Sequence, residues 1–161
     1  MQTRMSRMFA AVALLASGSL QAGELVGHAF VQSDGSLLIK ERVVHLYGIY
    51  IPETNRQCRE WLRPVRCDER AVLKLDAVVR GFVSCDPQRE RGDGSLEAIC
   101  YVERTSFEPG TDLGAYLIEN GWALARPGAP FEYHAKERIA RSRGRGVWGF
   151  TIDSIERPAR D

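Results

Sequence analysis

His45 and Glu53 are the two side chains of this sequence whose types and spacing could do proton chemistry. Both belong to HLYGIYIPE, residues 45–53, an alternating run that ends at Pro52 with a carboxylate directly behind it. A strand that stops at a proline turn delivers its next side chain to one end of a sheet. A carboxylate held there within reach of an imidazole could serve as a general base. The same residues have plainer uses. Glu53 can cap the turn or meet a loop arginine, and a lone histidine on a strand is more often structural, although titration near pH ~6.5 makes it pH-sensitive.

The elements around this run set where it points. GELVGHAFVQ, SLLI and RVVHLYGIY read as three strands, separated by the turn Ser33-Asp34-Gly35 and by Lys40-Glu41. The stretch TNRQCREWLRPVRC reads as an irregular loop. Asp68 then reads as an N-cap, with Ala71, Val72, Leu75, Val78 and Val79 at helical spacing and Gly81 at the stop position. FVSCDP and LEAICYV give two more strands across the polar connection QRERGDGS, and DLGAYLIENG and FEYHAKERIARSRG give two more helices. Five strands with a helix between the third and fourth is the element order of an OB-fold barrel, which predicts a mainly β protein with three α-helices.

The first 22 residues stand apart. Arg4 and Arg7 precede the apolar run FAAVALLASGSL, and Ala22 ends a small-residue site, the pattern of a cleaved signal peptide. The run is shorter than the ~20 residues a bilayer span needs. The expectation is a domain over 23–149 in the periplasm or secreted, a tail over 150–161, and no transmembrane segment in the mature chain. Cys58, Cys67, Cys85 and Cys100 all follow the leader. In an oxidising compartment they predict disulfides rather than a metal site, since separations of 9 and 15 residues are not the CxxC spacing of zinc sites. Three connectivities are possible; the local one, Cys58 to Cys67 and Cys85 to Cys100, is expected. Charge excludes an obvious polyanion binder: 22 Lys+Arg face 21 Asp+Glu, and losing Arg4 and Arg7 with the leader tips the balance to an excess of one acid.

HLYGIYIPE, GFVSC, EAICYV, DLGAYLIENGWALA and the closing GRGVWG together resemble the staphylococcal-nuclease-like, or thermonuclease, family, in its exported, cysteine-containing bacterial branch. The resemblance runs from about Leu25 to Gly149 and implies an OB barrel. In nucleases of this family a turn Asp and a strand-end Asp hold calcium, a Glu after the proline positions water, and two Arg neutralise the phosphate. Hard cations take carboxylate oxygens, and fixed positive charge stabilises the transition state. Carried over by position, the Glu is Glu53. The strand-end Asp falls on Tyr50, the first Arg on His45, the second on Ser95, and the turn Asp on Gly35 or Ser36.

The resemblance therefore implies a barrel whose cleaving equipment is largely substituted: a binding or scaffold module for a nucleic acid, glycan or protein on the barrel face, with no cofactor. The alternative is a metal-dependent nuclease rebuilt around Glu53 and His45. It would use calcium, with Asp34 as a ligand if the turn register shifts by one, Arg89 or Arg91 replacing the arginine lost at Ser95, and Asp93 and Glu97 as nearby acids. Tyr47 and Tyr50 could stack a base or sugar ring or serve as ordinary strand aromatics. KERIARSRGRG reads as a solvated basic face interrupted by Glu137, Trp122 and Trp148 as helix anchors, and Trp61 as a loop residue open to contact.

Overall fold

The computed structural model describes the backbone of residues 23–52, 57–60 and 63–149, with side chains over 23–52 and 66–149. Residues 1–22 and 150–161, Glu53, Trp61 and the side chain of Cys58 lie outside the described residues. In chain order come β1 (Leu25–Val31), β2 (Leu37–Ile39), β3 (Arg42–Leu46), β4 (Ile49–Tyr50), β5 (Gln57–Glu60), β6 (Arg63–Arg66) and α1 (Cys67–Val78). They are followed by β7 (Phe82–Glu90), β8 (Leu96–Val102), β9 (Thr111–Asp112), α2 (Leu113–Glu119), β10 (Leu124–Ala125), α3 (Phe131–Ser142) and a 3-10 turn at Gly146–Gly149.

The five expected strands, β1, β2, β3, β7 and β8, form a closed barrel. Antiparallel pairings link β3 to β2, β2 to β1, β1 to β7 and β7 to β8, and a parallel pairing of β3 with β8 closes it, with Val44, His45 and Leu46 opposite Leu96, Glu97 and Ala98. Alternation fixes the inside. Leu37, Ile39, Val44, Val83, Cys85, Ala98 and Cys100 are fully buried, while Val26, Phe30 and Phe82 are exposed. Cys85 and Cys100, directly opposed on β7 and β8, are disulfide-bonded as expected. Cys67 is also disulfide-bonded.

The helices pack against this barrel through Ala71 and Leu75 of α1 and Leu113, Leu117 and Ile118 of α2, all fully buried. Asp112 caps α2 by accepting from the Ala115 amide at 3.0 Å, and the Tyr133 hydroxyl of α3 donates to the same carboxylate, its oxygen 2.7 and 2.9 Å from the two acceptors. One side chain thus starts α2 and fastens α3 to it. Among the described residues no helix is long and apolar enough to cross a membrane.

Three local expectations change. The third strand does not run through to Tyr50; it breaks at Gly48, whose φ is +73° and where an added Cβ would lie 3.1 Å from the Ala129 backbone. Past that break β4 leaves the barrel and pairs with β10. The stretch after Pro52 is not wholly irregular, because β5 and β6 form an antiparallel hairpin. Asp68 does not cap α1. Arg66 holds the cap position without a side-chain bond to the helix amides, and its guanidinium grips the Asp68 carboxylate at 2.8 and 3.2 Å inside the first turn. An acid there still complements the helix dipole.

Candidate functional site

Where β3 breaks and β4 turns away, the barrel opens into a cavity of about 160 Å³. The β1–β2 turn contributes Asp34, Gly35 and Ser36, β3 contributes His45, and β4 contributes Tyr50. Arg91 and Glu97 come from the β7–β8 connection and the start of β8, and Arg126 follows β10. The cavity thus gathers Asp34, Gly35, Ser36, His45 and Tyr50, five of the positions singled out in the sequence. Ser95 lies beside it, in a shallow depression that also reaches His45. Glu53 lies outside the described residues.

Two turns of one design frame the mouth. Residues 32–36 and 91–95 both end in Asp-Gly-Ser, and in both the first residue's amide donates to the final serine's carbonyl at 2.8 Å. In both the serine amide donates to the aspartate at 2.9 Å, Ser36 to Asp34 and Ser95 to Asp93, and the serine hydroxyls lie 2.6 and 2.5 Å from those carboxylates. Gly35 and Gly94 both take φ +81°, the left-handed conformation this turn requires. Burial alone would push the Asp34 carboxyl up, but the bonds from Ser36 and the field of His45 leave it below the usual range. Hydrogen bonds from Ser95 hold Asp93 low in the same way. Asp34 is therefore already employed in shaping its turn.

The second carboxylate of the cavity is also engaged. Glu97 is only 7% exposed and accepts from Arg89 Nη2 at 2.9 Å, with Arg91 Nη1 at 4.0 Å. A buried charge needs such partners. The described residues of this mouth do not fit a calcium ion. The strand-end position carries a phenol, Asp34 is bonded to Ser36, Glu97 is claimed by arginines, and no group of three or more His, Cys, Asp or Glu converges among the described residues.

Arg126 is the residue the sequence reading did not single out. Its amide donates to Gly48 O at 2.8 Å and its Nε to Ile49 O at 2.9 Å, so backbone and side chain together fasten it to the break at Gly48 and the start of β4. One residue earlier, the Ala125 amide donates to Glu137 Oε2 at 2.7 Å. Glu137 is 5% exposed, so it is not part of a solvated face; it reaches inward from α3 to fix the strand that presents Arg126. The remaining basic run is partly structural too, with Lys136 bonded to Glu119 and Arg141 lying over Trp148. Arg91, unlike Arg89, reaches the cavity as the sequence allowed. Trp122 is buried in the core, in keeping with an anchoring role.

Neither protein-family models nor curated proteins give a match to this chain.

Proposed function

We propose that this chain is an exported, thermonuclease-like OB barrel that binds at its mouth and does not cleave. The observation that carries the reading is the fate of the carboxylates. The two described ones that line the mouth are bound to their neighbours, and Tyr50, His45 and Ser95 stand where the resemblance implies a metal-binding Asp and two Arg. Losing one preorganised charge stabiliser typically lowers a rate about 100- to 1000-fold. Here three such positions are changed together, and although such losses do not add when residues act as a unit, the metal that would generate a nucleophile has no described ligand set. What the mouth keeps is a walled polar cavity with guanidinium, imidazole and phenol groups, which suits holding a ligand.

The rival reading, a nuclease rebuilt around Glu53 and His45, draws support from the presence of His45, Arg91 and Arg126 in one cavity. The deciding experiment is cleavage of single-stranded DNA and RNA by the protein with disulfides intact, with calcium, with other divalent metals and with EDTA, beside Glu53→Ala. No turnover above the Glu53→Ala background is expected. Turnover that both EDTA and Glu53→Ala abolish would establish the rival.

A further inference from the structure

We propose that Arg126 anchors a site in the barrel mouth for a singly charged oxyanion group presenting two oxygens, as a phosphodiester or a carboxylate does. The inference rests on reading the mouth as a binding site and adds the chemistry of what it takes.

The charge balance selects the ligand. Among the described residues, four that are charged at neutral pH line the cavity: Arg91, Arg126, Asp34 and Glu97. Glu97 has both Arg89 and Arg91 beside it, so that group carries one surplus positive charge, spread towards the exposed Arg89. Asp34 is turned to Ser36 and has no arginine or lysine within ion-pair distance among the described residues. Arg126 likewise makes no ion pair among them; its side chain bonds to the Ile49 carbonyl, a neutral acceptor. Among the described residues the mouth thus offers one guanidinium outside any ion pair, with two carboxylates on the same cavity wall that oppose a second negative charge on a ligand.

The geometry selects the two-oxygen form. With Nε spent on Ile49 O, the amide spent on Gly48 O and the preceding residue pinned by the buried Glu137, the guanidinium is held before any ligand arrives. Its Nη1–Nη2 edge remains, and that edge matches a pair of oxygens in parallel. Preorganisation of this kind removes much of the ordering cost of binding. The side chains of His45 and Tyr50 make no hydrogen bond among the described residues, so an imidazole and a phenol remain on the cavity wall for a second contact.

The test is an amide chemical-shift titration of the protein expressed from the full chain with its own leader, disulfides intact. Diethyl phosphate, acetate and inorganic phosphate are added separately, with sodium chloride as the ionic-strength control. Saturable shifts at Gly48, Ile49 and Arg126 are expected for at least one monoanion, weakened about tenfold or more in Arg126→Gln, on the order of a charged hydrogen bond's worth. Arg126→Lys keeps the charge and loses the fork, and is expected to fall between the two. A dispersed spectrum of each variant establishes that it is folded, and Arg141→Gln on the outer face of α3 should titrate as wild type. Saturation by diethyl phosphate alone points to a polynucleotide backbone, and by acetate alone to an acidic sugar or peptide.

Shifts that only track chloride, equal affinity in folded Arg126→Gln, or tighter binding of inorganic phosphate than of either monoanion would each overturn the proposal. Cleavage of nucleic acid alongside Arg126-dependent saturation would overturn the non-cleaving reading and leave this one standing.

Discussion

Glu97 shows how a single residue holds the mouth together. It lies opposite His45 across the parallel closure and receives both Arg89 and Arg91 while almost wholly buried. Glu97→Gln would leave the Arg89 and Arg91 guanidinium groups without the carboxylate they share. The cost is expected at about 1–2 kcal/mol in urea unfolding, below the figure for a fully buried pair because Arg89 is half exposed and screened. Added salt should narrow the gap by screening the ion pairs that the variant lacks; a gap that does not change with salt would assign the loss to packing. At this scale the sequence was uneven. His45, Tyr50, Asp34 and Ser36 were legible because they sit on or beside one alternating run and one turn. Arg126 was not: it joins the site through a pairing with Ile49, 77 residues away in the chain, and nothing in GWALARPG marks it. Glu137 looked like a break in a basic face because neighbouring residues cannot report that a carboxylate turns inward to meet an amide.

Among the elements, α2 and α3 are joined through Asp112 and Tyr133. Burial pushes the Tyr133 phenol far above its ordinary value of 10.0, and the Asp112 charge and hydrogen bond push it the same way. The unfolded chain releases that proton near pH 10.0 while the folded protein retains it, so the stabilisation is complete below that pH and declines as pH rises above it. Tyr133→Phe should cost about 1.5–3 kcal/mol at neutral pH, the worth of a hydrogen bond to a charged acceptor. It should also flatten the fall in stability above pH ~10, leaving the part due to Tyr101, whose phenol burial also raises. Denaturant titrations on both sides of that pH check both effects; an unchanged alkaline slope would rule out the Tyr133 account. The Asp112 cap was readable from Asp before an apolar run. The split of the third strand and the β5–β6 hairpin were not, since the first depends on Ala129 crowding Gly48 and the second lies in a stretch with no apolar alternation.

For the molecule as a whole, the barrel order was legible because five alternating runs, their turns and one intervening helix leave few ways to close a small sheet. The Cys85–Cys100 bond spans 15 residues of one hairpin, and in the chain-entropy model such a loop stabilises by about 3 kcal/mol. Replacing both cysteines by alanine should lower unfolding free energy by about that amount with the barrel retained, as read by denaturant midpoint and amide dispersion. A collapsed spectrum would mean the bond is required to form the barrel at all. The parallel seam between β3 and β8 has another consequence, for how this protein meets its own copies. Every barrel strand has partners on both sides over part of its length, and the stretch of β7 beyond its pairing with β1, residues 86–90, carries a proline, a register shift between Pro87 and Arg89, and charged side chains. Phe30 and Phe82 are left bare on the outer wall, yet two molecules touching there meet a one-sided edge of β7 that is broken by Pro87 and guarded by charge, so the contact stays between side chains and can come apart.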